Sequence, residues 1–146
     1  MILIDVNLLL YSVNRFASEH DTARAWLNER LSGTARVGLP WASLLAFVRL
    51  ASNPTVFREA LTVSEAWQFV KDWLTCDTVW IPVPGENHRD ILGLLLEAPM
   101  TSRLVPDAHL AALAIEHGLT LCSTDGDFAR FPGLTWINPL AAPRQA

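Results

Sequence analysis

Short apolar runs alternate with segments in which apolar residues recur at helical spacing. The apolar runs predict strands, because strands buried in a parallel sheet are continuously hydrophobic. Proline residues in the third run place it at or near a sheet edge. The predicted strands are residues 1–4, 36–39, 78–83, 119–122 and 134–137.

The helical spacing predicts five helices between these strands, and no element is assigned to residues 7–11. Ser18 is the expected N-cap of the first helix, and Thr62 with Glu65 matches a capping box. Pro106 begins the last helix and Gly118 ends it. Strands that alternate with helices favour βαβ units and a parallel sheet. The predicted helices are residues 18–31, 42–52, 62–74, 87–97 and 106–117.

Three apolar segments stop at carboxylates. Asp5 follows the first strand, Asp107 lies in the first turn of the last helix, and Asp125 and Asp127 follow the fourth strand. Ligands of open α/β sheets bind at the carboxyl ends of the strands, so we expect Asp5 and Asp125 to face one another. Clustered carboxylates need a cation, a shared proton or a basic partner, and a hard divalent ion suits oxygen ligands best.

The carboxylates receive different predicted roles in a Mg²⁺ site, with Mn²⁺ as the alternative ion. Asp5 and Asp107 are predicted ligands, and Asp125 is either a ligand or the group that orients an attacking water. Asp127 is expected behind the ligands, and Asn7 either hydrogen-bonds Asp5 or caps the next helix. Each carboxylate also has an ordinary structural explanation as a cap or turn residue, and their conjunction favours the metal site.

Composition limits the alternatives. The 146 residues are 51% hydrophobic and 18% charged, which excludes a disordered chain and predicts one domain over residues 1–140 with a flexible tail at 141–146. Neither a membrane span nor a signal peptide is evident, so a cytoplasmic protein with buried Cys76 and Cys122 is expected. The net charge of −4 disfavours strong non-specific binding to nucleic acid.

The motifs resemble those of PIN domains, and specifically the VapC toxin endoribonucleases of bacterial type II toxin–antitoxin pairs. The resemblance is carried by residues 4–7, 104–114 and 123–128 and extends to Pro139. It implies a three-layer α/β fold with a central, mostly parallel sheet flanked by helices. It also implies a Mg²⁺-dependent endoribonuclease that forms a homodimer and is neutralised by a VapB-type antitoxin.

One departure from the family concerns the helix after the second strand, where the family commonly has a glutamate. No carboxylate occurs between Arg36 and Arg58. The resemblance therefore implies a site that uses more water ligands or binds metal more weakly. Arg49 and Arg58 are candidate contacts to RNA phosphate or to a protein partner, and solvated or ion-paired arginines are the alternative.

Two other functions stay open. One is a Mg²⁺-dependent phosphatase on a doubly wound sheet, although the haloacid-dehalogenase type would need a second aspartate where Asn7 stands. The other is a non-catalytic PIN-fold module that binds RNA or protein without cutting. The chain is also rich in tryptophan, which indicates either a tryptophan-rich core or exposed faces for a second copy and an antitoxin.

Overall fold

The structure is a computed structural model that describes residues 1–141, so the predicted tail lies outside the described residues except for Ala141. The described chain forms five strands: β1 (Ile2–Ile4), β2 (Val37–Gly38), β3 (Val79–Trp80), β4 (Thr120–Cys122) and β5 (Trp136–Ile137). Its six α-helices are α1 (Val6–Val13), α2 (His20–Leu31), α3 (Trp41–Ala51), α4 (Val63–Leu74), α5 (His88–Glu97) and α6 (Val105–His117).

The strands form one parallel sheet in the order β3-β2-β1-β4-β5. β3 lies at an edge, as its neighbouring prolines predicted. Successive strand residues point to opposite faces, so Leu3 packs in the core with α5 and α6 whereas Ile4 packs in the core with α1, α3 and α4. The predicted three-layer α/β arrangement with a parallel central sheet is therefore confirmed.

The pairing of β1 with β4 determines which residues meet at the carboxyl edge of the sheet. Ile4 lies opposite Cys122, and the Asp5 amide donates to the Cys122 carbonyl at 3.0 Å. α6 ends at His117, and the left-handed backbone of Gly118 (φ 66°) turns the chain towards β4. Because α6 runs back across the sheet before β4 begins, its first turn lies near this same edge.

Several predicted boundaries are wrong. Ser18 caps no helix: α2 begins at His20, and Glu19 at its N-cap position makes no side-chain cap, because tight turns continue until the His20 amide bonds the Ala17 carbonyl. α6 begins at Val105 rather than Pro106, directly after a 3-10 turn. The unassigned residues 7–11 belong to α1.

The third and fifth strands are shorter than predicted. β3 ends at Trp80, since Pro82 and Pro84 have no N–H to extend the ladder. β5 begins only at Trp136, because the chain before it turns, with the Leu134 amide bonded to the Phe131 carbonyl. The capping box of Thr62 and Glu65 is confirmed at the start of α4.

The two cysteines are free and differ in environment. Cys122 is buried, and burial raises the pKa of its thiol to about 12. Cys76 is only half-buried, which corrects the prediction that both thiols lie inside. No helix among residues 1–141 combines the length and the apolar content that a bilayer span requires.

Ser43 joins α3 to the end of β1. It is 1% exposed, and its hydroxyl donates to the Ile4 carbonyl at 2.8 Å. This bond holds the first turn of α3 beside the residue that precedes Asp5.

We expect Ser43→Ala to lower the free energy of unfolding by about 1–2 kcal/mol, because a buried hydrogen bond is lost. Ser64→Ala, at an exposed position of α4, is the matched control and should change it by less than about 0.5 kcal/mol. Urea denaturation followed by circular dichroism measures both. Equal stability of the two variants would contradict a structural role for the Ser43 bond.

Candidate metal centre

Asp5 is buried at the start of α1. One carboxylate oxygen accepts the Val6 amide at 2.8 Å, which caps the helix, and the other accepts the Ser123 hydroxyl at 2.7 Å. The residue is 7% exposed. Burial raises the pKa of Asp5, the two hydrogen bonds oppose this shift, and the negative charge of Asp125 adds to it. Each oxygen keeps lone pairs for a further partner.

Ser123 connects the residues that follow β1 and β4. It has no exposed surface, and its hydroxyl donates to Asp5 while accepting the Asn7 side-chain amide at 3.1 Å and the Asp125 backbone amide at 3.0 Å. With these three bonds the hydroxyl has little freedom to rotate. Ser123 therefore fixes the orientation of Asp5 relative to the segment that carries Asp125.

Asn7 was predicted to hydrogen-bond Asp5 or to cap the next helix, and it hydrogen-bonds Ser123 instead. Its amide nitrogen donates to the Ser123 hydroxyl, and its oxygen accepts the Thr124 amide at 3.5 Å. It does not cap α1 either, since Asp5 does so. The physical reason is geometric: Asn7 is already inside the first turn of α1, from which its side chain reaches across to the β4 segment.

Asp107 is half-buried in the first turn of α6. Burial, followed by the charges of Asp5, Asp125 and Asp127, raises its pKa to about 6, and the nearby Arg103 acts in the opposite direction. Asp107 is thus within electrostatic range of the other three carboxylates, and Asp5 is within range of Asp125.

Asp125 and Asp127 are held differently although they are two residues apart. The Asp125 side chain accepts the Asp127 amide at 2.9 Å and caps the 3-10 helix Gly126–Arg130. Asp127 forms ion pairs with Arg103 at 3.2 Å and Arg130 at 3.6 Å. Within residues 1–141, Asp5, Asp107 and Asp125 form no ion pair, so their charge is not neutralised by a base.

The donor set suits a hard divalent cation. Asp5 and Asp107 are carboxylates whose ionised form is disfavoured by burial, and a bound cation would reverse that shift. In the described part of the chain no three His, Cys, Asp or Glu side chains converge closely enough to enclose an ion together. Mg²⁺ does not require such an enclosure, because it usually keeps several waters and binds through one or two carboxylates.

The histidine that follows Asp107 on α6, and the two arginines predicted as RNA or partner contacts, have other neighbours. His109 packs against His88, with ring nitrogens 3.1 Å apart, and burial followed by the charge of His88 lowers its pKa. Arg58 lies over the Phe16 ring at 4.8 Å, and Arg49 is exposed in the last turn of α3. Neither arginine acts on the pKa of Asp5 or Asp107.

Sequence reasoning missed three residues of this edge. Ser123 was part of a recognised motif, and a hydroxyl directly after a buried strand and two residues before Asp125 was an available signal. Arg130 follows Asp127 at the spacing of an i,i+3 pair, which also could have been recognised. Arg103 is separated from Asp127 by α6 and β4, so only the fold reveals their contact.

The raised pKa of Asp107 predicts the pH dependence of stability in the metal-free protein. Between the ordinary value of 3.8 and about 6, the folded protein keeps a proton that the unfolded chain releases. The ionised side chain therefore destabilises the fold above about pH 6, and this cost decreases as the pH falls. Asp107→Asn should melt at a higher temperature than the parent at pH 8.

Thermal unfolding in EDTA, followed by circular dichroism, measures this difference from pH 8 downwards. The advantage of Asp107→Asn should shrink as the pH falls from about 6 towards 4. Asp77→Asn, an exposed aspartate before β3 at the other edge of the sheet, is the control and should show no such trend. A difference that stays constant with pH would contradict the assignment.

Comparison with known sequences identifies the fold family. The PIN domain family model matches residues 2–134. Ribonuclease VapC37 from Mycobacterium tuberculosis is 44% identical over 142 residues, which cover 97% of this chain and 99% of the relative. Ribonuclease VapC33 from the same organism is 39% identical over 141 residues, which cover 96% and 99%.

Comparison with solved structures gives the same fold. A chain of VapBC2 from Rickettsia felis, bound to a DNA fragment from its promoter, has a TM-score of 0.67 at 16% identity and covers 94% of this chain and 98% of its own. VapC20 from Mycobacterium tuberculosis, a sarcin-ricin loop cleaving toxin, has a TM-score of 0.63 at 18% identity and covers 92% and 99%. The predicted PIN-like fold is therefore confirmed.

Proposed function

We propose, from the premise that this chain belongs to the VapC group of the PIN-domain family, that it is a Mg²⁺-dependent endoribonuclease toxin. The observation that carries the proposal is the set of Asp5, Asp107 and Asp125 at the carboxyl edge of the sheet, with raised pKa values for the first two and no ion pair to any of them among the described residues. Mn²⁺ is the alternative ion, by its similar preference for oxygen ligands.

Each residue at this edge of the sheet is proposed to have a separate role in RNA hydrolysis. Asp5 and Asp107 would hold the metal ion, and Asp125 would complete its shell or orient the attacking water. When bound, such an ion lowers the pKa of water and stabilises charge on a phosphodiester. Ser123 keeps Asp5 in one orientation, which reduces the reorganisation needed when substrate binds.

The family commonly has a glutamate in the helix after the second strand. In this chain that helix, α3, has no carboxylate. α3 approaches β1 through Ser43, whose hydroxyl is already committed to the Ile4 carbonyl. We propose that water ligands fill the place of this glutamate, which fits the ordinary preference of Mg²⁺ for retaining water. Weaker metal binding than in family members that have the glutamate is the expected consequence.

A VapB-type antitoxin and a second copy of the chain are the proposed protein partners. The similarity to VapBC2 from Rickettsia felis, solved on a DNA fragment from its promoter, supports the antitoxin partner. Large apolar side chains also remain exposed here: Trp41 stacks on Trp67 with ring centroids 6.3 Å apart, yet the two are 41% and 38% exposed. Exposed aromatic pairs are typical of surfaces that bind protein.

Asp5→Asn should abolish RNA cleavage while the protein stays folded. The asparagine oxygen can still accept the Val6 amide, because asparagine is as good an N-cap as aspartate, but the negative charge is gone. We expect a loss on the order of 100-fold or more in cleavage of total RNA with Mg²⁺. Circular dichroism reports the fold.

Asp77→Asn removes an exposed carboxylate far from the proposed site and should cut like the parent. Unchanged cleavage by a folded Asp5→Asn protein would refute the metal-site proposal. A parent that binds RNA but leaves it intact with both Mg²⁺ and Mn²⁺ would instead favour the non-catalytic module.

Ser123→Ala should reduce cleavage roughly 10- to 100-fold and raise the Mg²⁺ concentration needed for half-maximal activity, because Asp5 loses the donor that orients it. The neighbouring Thr124→Ala is the control, since only the backbone amide of Thr124 bonds a site residue. A Mg²⁺ titration of cleavage rate measures both variants. Parent-like activity in Ser123→Ala would show that the hydroxyl does not position Asp5.

A further inference from the structure

Two arginines from separate segments converge on one carboxylate beside the candidate metal centre. Arg103 belongs to the 3-10 turn Ser102–Leu104 that leads into α6, and Arg130 ends the 3-10 helix Gly126–Arg130. Their guanidinium nitrogens lie 3.2 Å and 3.6 Å from different oxygens of Asp127. The fold thus brings two positive charges to the rim of a site that is otherwise negative.

The exposure of the three side chains shows which groups remain available. The Asp127 side chain is 26% exposed, whereas those of Arg103 and Arg130 are 71% and 56% exposed. The carboxylate is therefore held on the protein side, and the guanidinium groups extend towards solvent. A guanidinium has several N–H donors, so each arginine keeps donors that do not face Asp127.

The chemistry of the site indicates what these donors would bind. An RNA strand that approaches Asp5, Asp107 and Asp125 meets carboxylates on a protein with a net charge of −4. Local positive charge is then needed to hold the strand, and arginine matches phosphate oxygens in a planar, bidentate geometry. The charge of Arg103 also acts to lower the pKa of Asp107, one of the candidate ligands.

We propose that Arg103 and Arg130 bind backbone phosphates of the RNA next to the bond that is cut, and that Asp127 positions both arginines. This inference rests on the proposed function and deepens it by assigning the substrate contacts. In this proposal Asp127 orients the two arginine side chains and does not bind the metal ion. Arg49 and Arg58, the arginines selected from the sequence, lie on other parts of the fold.

The test measures RNA binding without cleavage. A fluorescein-labelled single-stranded oligoribonucleotide is titrated with the protein in EDTA, and fluorescence anisotropy gives the dissociation constant over a series of NaCl concentrations. Arg103→Gln and Arg130→Gln should each weaken binding roughly tenfold and make the salt dependence shallower by about 0.7 in log–log slope, because each removes a phosphate contact.

Arg89→Gln is the matched control. Arg89 is also an exposed arginine in an ion pair, with Asp90 at 3.4 Å. It lies in the first turn of α5, whereas Arg103 follows the last turn of that helix. It should bind RNA like the parent. Equal weakening by all three substitutions would overturn the proposal, since it would reflect net charge alone.

A combined variant separates direct contact from an indirect effect of Asp127. Removing both arginines leaves Asp127 unpaired, and its charge alone could repel RNA. In Arg103→Gln/Arg130→Gln/Asp127→Asn this charge is absent, and binding should remain weak if the arginines contact phosphate. Recovery of parent-like affinity in this variant would overturn the direct contact.

Cleavage with Mg²⁺ distinguishes failure of this inference from failure of the nuclease assignment. If the parent cuts RNA and the arginine variants bind as tightly as the parent, the arginine contacts are refuted and the nuclease stands. If the parent binds RNA through these arginines without cutting it, the contacts stand and the nuclease assignment fails. A rise in KM with little change in kcat is the expected signature in the arginine variants.

Discussion

The candidate centre depends on the parallel pairing of β1 with β4 and on the Ser123 hydroxyl that joins the segments leaving these strands. The pairing sets Ile4 opposite Cys122, so the next residues of both strands emerge side by side. Ser123 then bonds the Asp5 carboxylate, the Asn7 amide and the Asp125 backbone. Because the Ser123 hydroxyl is fixed by three hydrogen bonds and donates to Asp5, this carboxylate is oriented before any ligand arrives.

The ionised carboxylates at this edge lower the stability of the folded protein. Burial and mutual repulsion raise the pKa values of Asp5 and Asp107, so the ionised centre opposes folding instead of stabilising it. Asp127 differs from them, because it forms ion pairs with Arg103 and Arg130. The centre therefore contains carboxylates whose charge a metal cation could neutralise, and one carboxylate, Asp127, that is already paired with arginines.

The sequence predicted the elements that local patterns determine, and it missed contacts that only the topology creates. The capping box of Thr62 and the edge position of β3 follow from neighbouring residues, and both are confirmed. Ser18 failed as a cap because the turns before α2 depend on backbone bonds that side-chain type does not reveal. Asn7 takes neither of its two predicted roles, a bond to Asp5 or the cap of the next helix, because its amide bonds Ser123, a residue 116 positions farther along the chain.

The central proposal is that Asp5 and Asp107 hold one cation at the carboxyl edge of the sheet, with Asp125 completing its shell or orienting the attacking water. The most direct test is a crystal structure of the protein grown with Mn²⁺, with the ion located by its anomalous scattering. We predict an anomalous peak within ligand distance, about 2.0–2.3 Å, of Asp5 or Asp107 oxygens, with Ser123 still bonded to Asp5. A peak elsewhere, or none at this edge with millimolar Mn²⁺, would contradict the account.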